Sequence, residues 1–320
     1  MKRFLIWTAI LLTGCANIVL SQTYPTRPIR LIVPAAAGGG TDIVARLIGQ
    51  KLTERFGHTV VVDDRVGGNG IVGTEAFVKA SPDGYTLGMA QPGPITIGRT
   101  LYPSLPYNPE RDLVPIILAN ESSNVLAVHP SIPAHTVKEL VALAKVRSLN
   151  AALGNIGAVQ HLLTEMLNRA AGIKMNNIPY KGGGLAATDV VGGQVDLLWS
   201  VLPVVLPFIQ NGRLRALAMA SEKRSPFLPN VPTTGESGWP SVVGTAWNGV
   251  VAPVGTPKNI IDLLNAEIGR GLNAPDVRAR FTTLGMEPFS ATTPQQFGAF
   301  LKVDTIKWGE VIKAAKIKAE

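Results

Sequence analysis

The sequence predicts an α/β protein built as two lobes, and three observations carry that reading. Short β-rich runs alternate with helical periodicity, 320 residues exceed what one core usually organises, and a Pro/Gly/Ser/Thr-rich stretch returns the chain late in the sequence. The first series is Ile29–Val33, Thr41–Phe56, Thr59–Val62, Ile71–Ala80 and Thr86–Ala90. This βαβαβ rhythm implies a parallel sheet covered by helices on both faces. A second α/β series starts near Val125: helix Val137–Lys145, helix His161–Ala171, strand Val195–Trp199, helix Leu202–Gln210 and strand Leu214–Met219. Ser225–Gly244 reads as an irregular connection back to the first lobe. The last third is helical, with starts expected at Thr256-Pro257 and at Thr293-Pro294-Gln295-Gln296, where Thr293 caps and Gln296 reaches back. These helices are expected to cover the first lobe. The chain would then cross between lobes near Ser123 and Ala246, giving residues 24–123 plus 247–320 to lobe 1 and 124–246 to lobe 2. A cleft with a two-strand hinge follows from that arrangement.

Met1-Lys2-Arg3 followed by the apolar run Phe4–Leu12 has the layout of a cleavable secretory signal, too short to span a bilayer. Two cleavage patterns are open. Leu12-Thr13-Gly14-Cys15 reads as a lipobox, which would end the signal at residue 14 and lipidate Cys15; Val19-Leu20-Ser21 would end it at residue 21. Cys15 is the sole cysteine, so a mature chain starting there or later has no disulfide, no cysteine zinc site and, apart from that residue, no thiol. The expected compartment is the periplasm. With 46% hydrophobic and 16% charged residues the chain is a well-buried globular protein. Removing Lys2 and Arg3 lowers the net charge from +8 to +6, and the remaining basic residues are dispersed, which argues against a nucleic-acid partner.

Two glycine-rich loops carry the chemistry, one in each lobe. Pro34-Ala35-Ala36-Ala37-Gly38-Gly39-Gly40-Thr41-Asp42 joins a buried strand to a long helix. Such a loop lets backbone N–H groups approach a ligand, and at a helix N-terminus those amides favour an anion without a basic side chain. Thr41 or Asp42 is expected to cap the helix. The plainer reading, a tight turn alone, is less attractive for three glycines after three alanines. Ile178-Pro179-Tyr180-Lys181-Gly182-Gly183-Gly184 repeats the pattern in the second lobe. There Tyr180 could pack on the ligand or on the hinge, and Lys181 could pair with a carboxylate or stand as an ordinary surface lysine. A third loop, Gly154-Asn155-Ile156-Gly157-Ala158-Val159-Gln160-His161, precedes a helix, and His161 reads as a structural residue rather than a base.

Enzyme and cofactor signals fail. Gly68-Asn69-Gly70-Ile71-Val72-Gly73 matches GxGxxG, but Asp63 to Gly67 separate it from its strand, so it reads as a helix-entry loop. There is no GxSxG elbow and no GxxxxGK[ST] loop. His58, His129, His135 and His161 are scattered, without metal-site spacing. Asp63-Asp64 is a weak carboxylate pair, read as solvated. No catalytic residue, metal or cofactor is expected.

Taken in order, Tyr24-Pro25-Thr26-Arg27-Pro28-Ile29-Arg30, Ala37-Gly38-Gly39-Gly40-Thr41-Asp42, Ser81-Pro82-Asp83-Gly84-Tyr85-Thr86, Pro179-Tyr180-Lys181-Gly182-Gly183, Gly192-Gly193-Gln194-Val195-Asp196 and Arg215-Ala216-Leu217-Ala218 resemble the Bug family. These are extracytoplasmic receptors of tripartite tricarboxylate transporters. The resemblance implies a type II periplasmic binding fold, a cleft that closes on a small carboxylate, and partner membrane subunits; a monomer is expected. It also implies a carboxylate held through backbone amides and ordered waters. Carried over residue by residue, the ligand-binding positions are Ala35, Ala36, Gly38, Gly39, Thr41 and Asp42 in the first loop, and Tyr180, Lys181, Gly182 and Gly183 in the second. Gln91 after the third strand, with Asn155, Gly157, Ala158 and His161, completes the set. The sequence departs from the family where Ala35 replaces a frequent Phe. It departs again where Leu153-Gly154-Asn155-Ile156-Gly157-Ala158 lacks the two hydroxyls of a Ser-x-Gly-x-Gly-Ser pattern, implying an altered, wider and less polar pocket. An exported hydrolase or isomerase using Asp42 or His161, and a ligand sensor docking on a kinase, are the rival readings.

Overall fold

The computed structural model describes residues 24–286 and 292–318. The expected signal segment, residues 1–21 or 1–14, and Cys15 lie outside the described residues. The chain opens with β1 (Ile29–Val33), α1 (Gly40–Phe56), β2 (Val60–Asp64), α2 (Ile71–Val78) and β3 (Thr86–Ala90). A π-helical turn, Gly93–Ile97, leads into the short helices α3 (Gly98–Leu101) and α4 (Pro109–Asp112), and then comes β4 (Leu113–Val128). The second series is α5 (Val137–Val146), β5 (Asn150–Leu153), α6 (Val159–Ala171), β6 (Asn176–Pro179), α7 (Gly183–Val191), β7 (Leu197–Val201), α8 (Leu202–Gln210) and β8 (Arg215–Met219). After the irregular connection come β9 (Thr245–Pro253), α9 (Lys258–Leu272), α10 (Pro275–Leu284) and α11 (Pro294–Ala315).

The strand order is β2-β1-β3-β9-β4-β7-β5-β6, with β8 also on β4. β1 pairs in parallel with β2 and β3, as the βα rhythm predicts; β5 also pairs in parallel with β6 and β7, although of these three strands the sequence reading named only β7. The sheets are nevertheless mixed, because β4, β8 and β9 enter antiparallel. The sequence reading missed β4 and β9: both are buried on both faces, so their apolar runs lack the alternation that marks a half-exposed strand. β4 is long enough, about 50 Å at the usual rise, to belong to both lobes. It pairs with β9 as far as Ser123↔Thr245 and takes β7 as partner from Asn124↔Val201.

Each sheet buries both faces. In the first lobe Val44, Ile48 and Leu52 of α1 pack with Leu264 and Ile268 of α9 on one side, while Phe77, Trp247 and Phe297 fill the other. In the second lobe Leu162, Leu163 and Leu167 of α6 oppose Val190, Val205 and Leu206 of α7 and α8 across the sheet. Helix α11 is not confined to the first lobe, as the sequence reading had it. Its Phe297 is in the first-lobe core, whereas Trp308 and Ile312 enter the core of the second. Its start has the expected capping box: Thr293 Oγ1 accepts from Gln296 N–H and Gln296 Oε1 from Thr293 N–H. Thr256 does not cap α9. Its hydroxyl donates to Pro253 O, and the cap position falls on Pro257.

Where β9 crosses under α11, Gly249 has no room for a side chain: a Cβ there would lie 2.2 Å from Phe297 Cζ and 2.9 Å from Ile117 O. Gly249→Ala is expected to destabilise the fold by about 1–3 kcal/mol through overpacking, measured by denaturant unfolding.

Candidate ligand-binding site

A cavity of about 150 Å³ lies between the lobes, where the first-lobe loop before α1, the loop before α6 and the loop before α7 meet. A cavity of that volume accommodates a molecule the size of benzene. The loops touch across it. Gly182, at φ +141°, brings its backbone so close that a Cβ would stand 3.1 Å from Ala36 Cβ of the opposite lobe, and a Cβ on Gly40 would stand 3.3 Å from Val201 Cγ2. Only glycine permits that φ at such an approach.

Three helices that follow glycine-containing loops begin at the cavity wall, and none has a side-chain cap; α8 also starts there, with Val201 at its cap position and Pro203 in its first turn. The cap residues are Gly39 for α1, Ala158 for α6 and Gly182 for α7. By contrast, Asn108, Thr136 and Thr293 cap α4, α5 and α11 away from the cavity. α9 and α10 also start without a side-chain cap, but with proline at the cap or at the first position. The leading N–H groups of α1, α6 and α7 have no intrahelical acceptor, although His161 N–H in α6 turns back to Ala158 O, and they carry the positive end of the helix dipole. Among the described residues, no Asp, Glu, Lys, Arg or His lines the cavity. Its electrostatics are those of neutral donors, which suit a carboxylate or similar anion.

The polar side chains around these starts are tied into short relays. Thr41 Oγ1 donates to Gln91 Oε1 over 2.8 Å, and Gln91 Nε2 donates to Pro34 O over 2.9 Å, fastening the α1 loop to the end of β3. Asp42 neither caps α1 nor lines the cavity. Its Oδ2 accepts from Gly38 N–H at 2.8 Å and its Oδ1 pairs with Arg46 at 2.7 Å, so the carboxylate holds the loop from behind. Asp64 pairs with Arg46 in turn, and Asp63 pairs with Arg30 and Arg65, so the acidic pair is neutralised rather than solvated.

Of the expected positions, Ala35, Ala36, Gly39, Thr41, Gln91, Asn155, Ala158, Gly182 and Gly183 line the cavity. Gly38, Asp42, Gly157, His161, Tyr180 and Lys181 do not. Tyr180 turns onto the apolar cluster of α7 and α8 and donates to Asp189 Oδ2 at 2.7 Å, and desolvation with Asp189 nearby pushes its phenol up to about 12. Lys181 is exposed. His161 is 5% exposed, and its Nδ1 accepts from Gly157 N–H at 3.2 Å, which shapes the loop before α6. The sequence reading missed Asn69, Gln160, Trp199, Ser200, Val204, Trp247 and Asn248. It looked for glycine, and these walls sit at strand ends and first helical turns. The rule that ligands bind at the carboxyl ends of parallel strands would have pointed to Trp199 and Ser200. Asn69 was inside a loop read only as a helix entry; it is 8% exposed and has φ +53°.

Two lobes joined by crossing strands, with a neutral cavity walled by helix starts from both, define a solute-binding receptor. The chain belongs to the tripartite tricarboxylate transporter receptor family, whose model matches residues 44–317. It is 39% identical over 310 residues to Protein BugT of Bordetella pertussis, covering 95% of both chains. It is similar to the structure of Rpa4515 of R. palustris with adipate at 33% identity and TM-score 0.89, covering 92% of this chain and 99% of that one. It is similar too to MatC of Rhodopseudomonas palustris with bound malate, at 30% identity and TM-score 0.85, covering 90% and 100%. The fold is therefore that of the periplasmic binding proteins of this family.

Burial holds the His161 imidazole below its ordinary value of 6.5, with Glu165 partly offsetting the effect. The neutral ring is the folded form, and the unfolded chain binds the extra proton first. The stability contribution is thus present above pH 6.5 and lost as pH falls through and below that value. The melting temperature is expected to drop between pH 7.5 and pH 5, and His161→Gln should flatten that part of the profile.

Proposed function

We propose that this chain is an extracytoplasmic receptor that captures a small carboxylate between its lobes and presents it to membrane subunits of a tripartite tricarboxylate-type transporter. The observation that carries the reading is the convergence of three helix starts without side-chain caps on one uncharged cavity. Each backbone N–H bond to an ionised acceptor contributes about 1.5–3 kcal/mol, and several act together here. The relatives that hold adipate and malate support a carboxylate as the solute.

Capture works by closure. In the open form the ligand meets one lobe, and the second loop completes its shell as the lobes rotate about the crossing at Ser123 and Ala246, in the manner of hinge-closing binding proteins. The ligand-binding set is Ala35, Ala36, Gly39 and Thr41 of the first loop with Gln91, and in the second lobe Asn155, Ala158, Gly182 and Gly183. The protein acts as a monomer without cofactor and without turnover. Asp42 and His161, the groups a hydrolase would use, are occupied outside the cavity. Residues 1–14 or 1–21 serve as the export signal, the first alternative leaving Cys15 as a lipid anchor. Among the described residues, no helix is long and apolar enough to cross a membrane.

Titration calorimetry with C4 to C6 mono- and dicarboxylates, paired with small-angle scattering, is expected to give saturable heat and a smaller radius of gyration with at least one acid. Heat with none, and no compaction, would remove the carboxylate reading.

A further inference from the structure

We propose that Asp304 is a positioning residue for the solute site: from α11 it joins the Trp247 indole and the π-helical turn at Gly93 into one wall of the cavity, and so governs affinity without touching the solute. This rests on the cavity being the carboxylate site and adds a residue remote from its lining. Trp247 and Gly93 both line the cavity, and Asp304 does not. A single oxygen of its carboxylate connects them. Oδ2 accepts from Trp247 Nε1–H at 2.8 Å and from Thr96 Oγ1 at 2.7 Å, and Thr96 belongs to the π-helical turn that Gly93 opens. Turns of this kind interrupt the regular helical ladder and recur at functional sites.

α11 holds Trp247 on further sides. The indole meets Phe297 and Phe300 edge-on, at 5.8 and 5.6 Å between ring centroids. Those apolar contacts set the plane of the ring, while the bond to Asp304 satisfies the buried N–H and fixes which edge points at α11. A carboxylate is a costly group to bury for the sake of packing alone. Asp304 is 8% exposed, and both bonds to Oδ2 come from neutral donors. Phe297 already anchors one end of α11 in the first-lobe core and Trp308 anchors the other in the second. What the carboxylate adds is the orientation of two cavity-wall groups. Trp308 also packs on Gly244, where a Cβ would stand 2.9 Å from its Cη2, so α11 grips the crossing chain at Gly244 as well as at Trp247. The position of the wall is thereby tied to the one described helix whose side chains enter the cores of both lobes.

The test measures the affinity of the mature protein for succinate, malate and adipate by calorimetry, alongside the Trp247 Nε1–H signal in proton–nitrogen NMR spectra, assigned by its loss in Trp247→Phe. Asp304→Leu keeps bulk and offers no acceptor. It is expected to weaken the acid that binds wild type by about tenfold and to shift the Trp247 signal upfield. Asp304→Asn, whose carbonyl can accept both bonds, should bring affinity back to within about threefold and restore the signal. Thr96→Val, close in shape, removes only the second bond and should also weaken the acid, which keeps the test open if Asp304→Leu does not fold. Each variant is compared well below its own melting temperature, so a loss of stability alone would move neither affinity nor the signal. Wild-type affinity in Asp304→Leu and Thr96→Val, weakened binding with an unmoved Trp247 signal, or no rescue by Asp304→Asn overturns the proposal while the carboxylate reading stands. If no acid binds the wild-type protein, the carboxylate reading fails and this proposal falls with it.

Discussion

A sixteen-residue strand that changes partners midway is the constraint on which the rest of the structure depends. β4 cannot stop at the edge of the first sheet, because its second half supplies the centre of the other sheet, between β7 and β8. Its pairing with β9 ends at Ser123↔Thr245, and the buried amides on either side of that point are tied down. Asn248 Nδ2 donates to Asn120 Oδ1, Asn120 Nδ2 to Ser122 Oγ, and Asn124 Nδ2 to Gly244 O. Buried amides of this kind must be paired to be tolerated, and pairing them holds the two strands in one register at the crossing. Because the crossing also forms part of the cavity wall, with Ser122, Ala246, Trp247 and Asn248, the register of the strands sets the position of the site.

The uncharged cavity is a physical solution to binding an anion reversibly. A buried arginine or lysine would need a counter-charge in the empty protein, and desolvating such a pair is expensive. Backbone N–H groups at helix starts carry their partial charge by construction, so the open receptor leaves no full charge stranded. The protein places its real charges behind the site. Asp42, Arg46 and Asp64 form a chain that braces the α1 loop, and none of them lines the cavity. A second brace comes from α11, where Asp304, only 8% exposed, accepts from Thr96 Oγ1 at 2.7 Å and from Trp247 Nε1 at 2.8 Å. Desolvation raises its carboxyl above the ordinary range, while the bonds from Thr96 and Trp247 counter that shift.

Much of this was legible from residues alone. The parallel βα units announced themselves through apolar runs alternating with helical periodicity, and β3 and α8 fall on their expected spans. The two glycine loops were legible because a glycine run between strand and helix has few other uses. What the sequence did not disclose were features made by tertiary pairing. β4 and β9 are read as strands only once each other is present. Tyr180 and Lys181 open a loop that does reach the cavity at Gly182, but the side chain of Tyr180 is drawn away by Asp189 and that of Lys181 stays exposed. Gln160 looked like an ordinary first-turn residue, since its place in the cavity wall and its bond to Asn124, thirty-six positions earlier, exist only in the folded chain.

The central claim is that helix starts, not charged side chains, hold the ligand's carboxylate. A crystal structure of the mature protein with a bound carboxylic acid tests it most directly. The account predicts carboxylate oxygens within hydrogen-bonding reach of backbone N–H groups at the starts of α1, α6 or α7, directly or through one water, with no Lys, Arg or His side chain touching them. A carboxylate seated on Lys181 or Arg46, or bound outside the interlobe cavity, would contradict it.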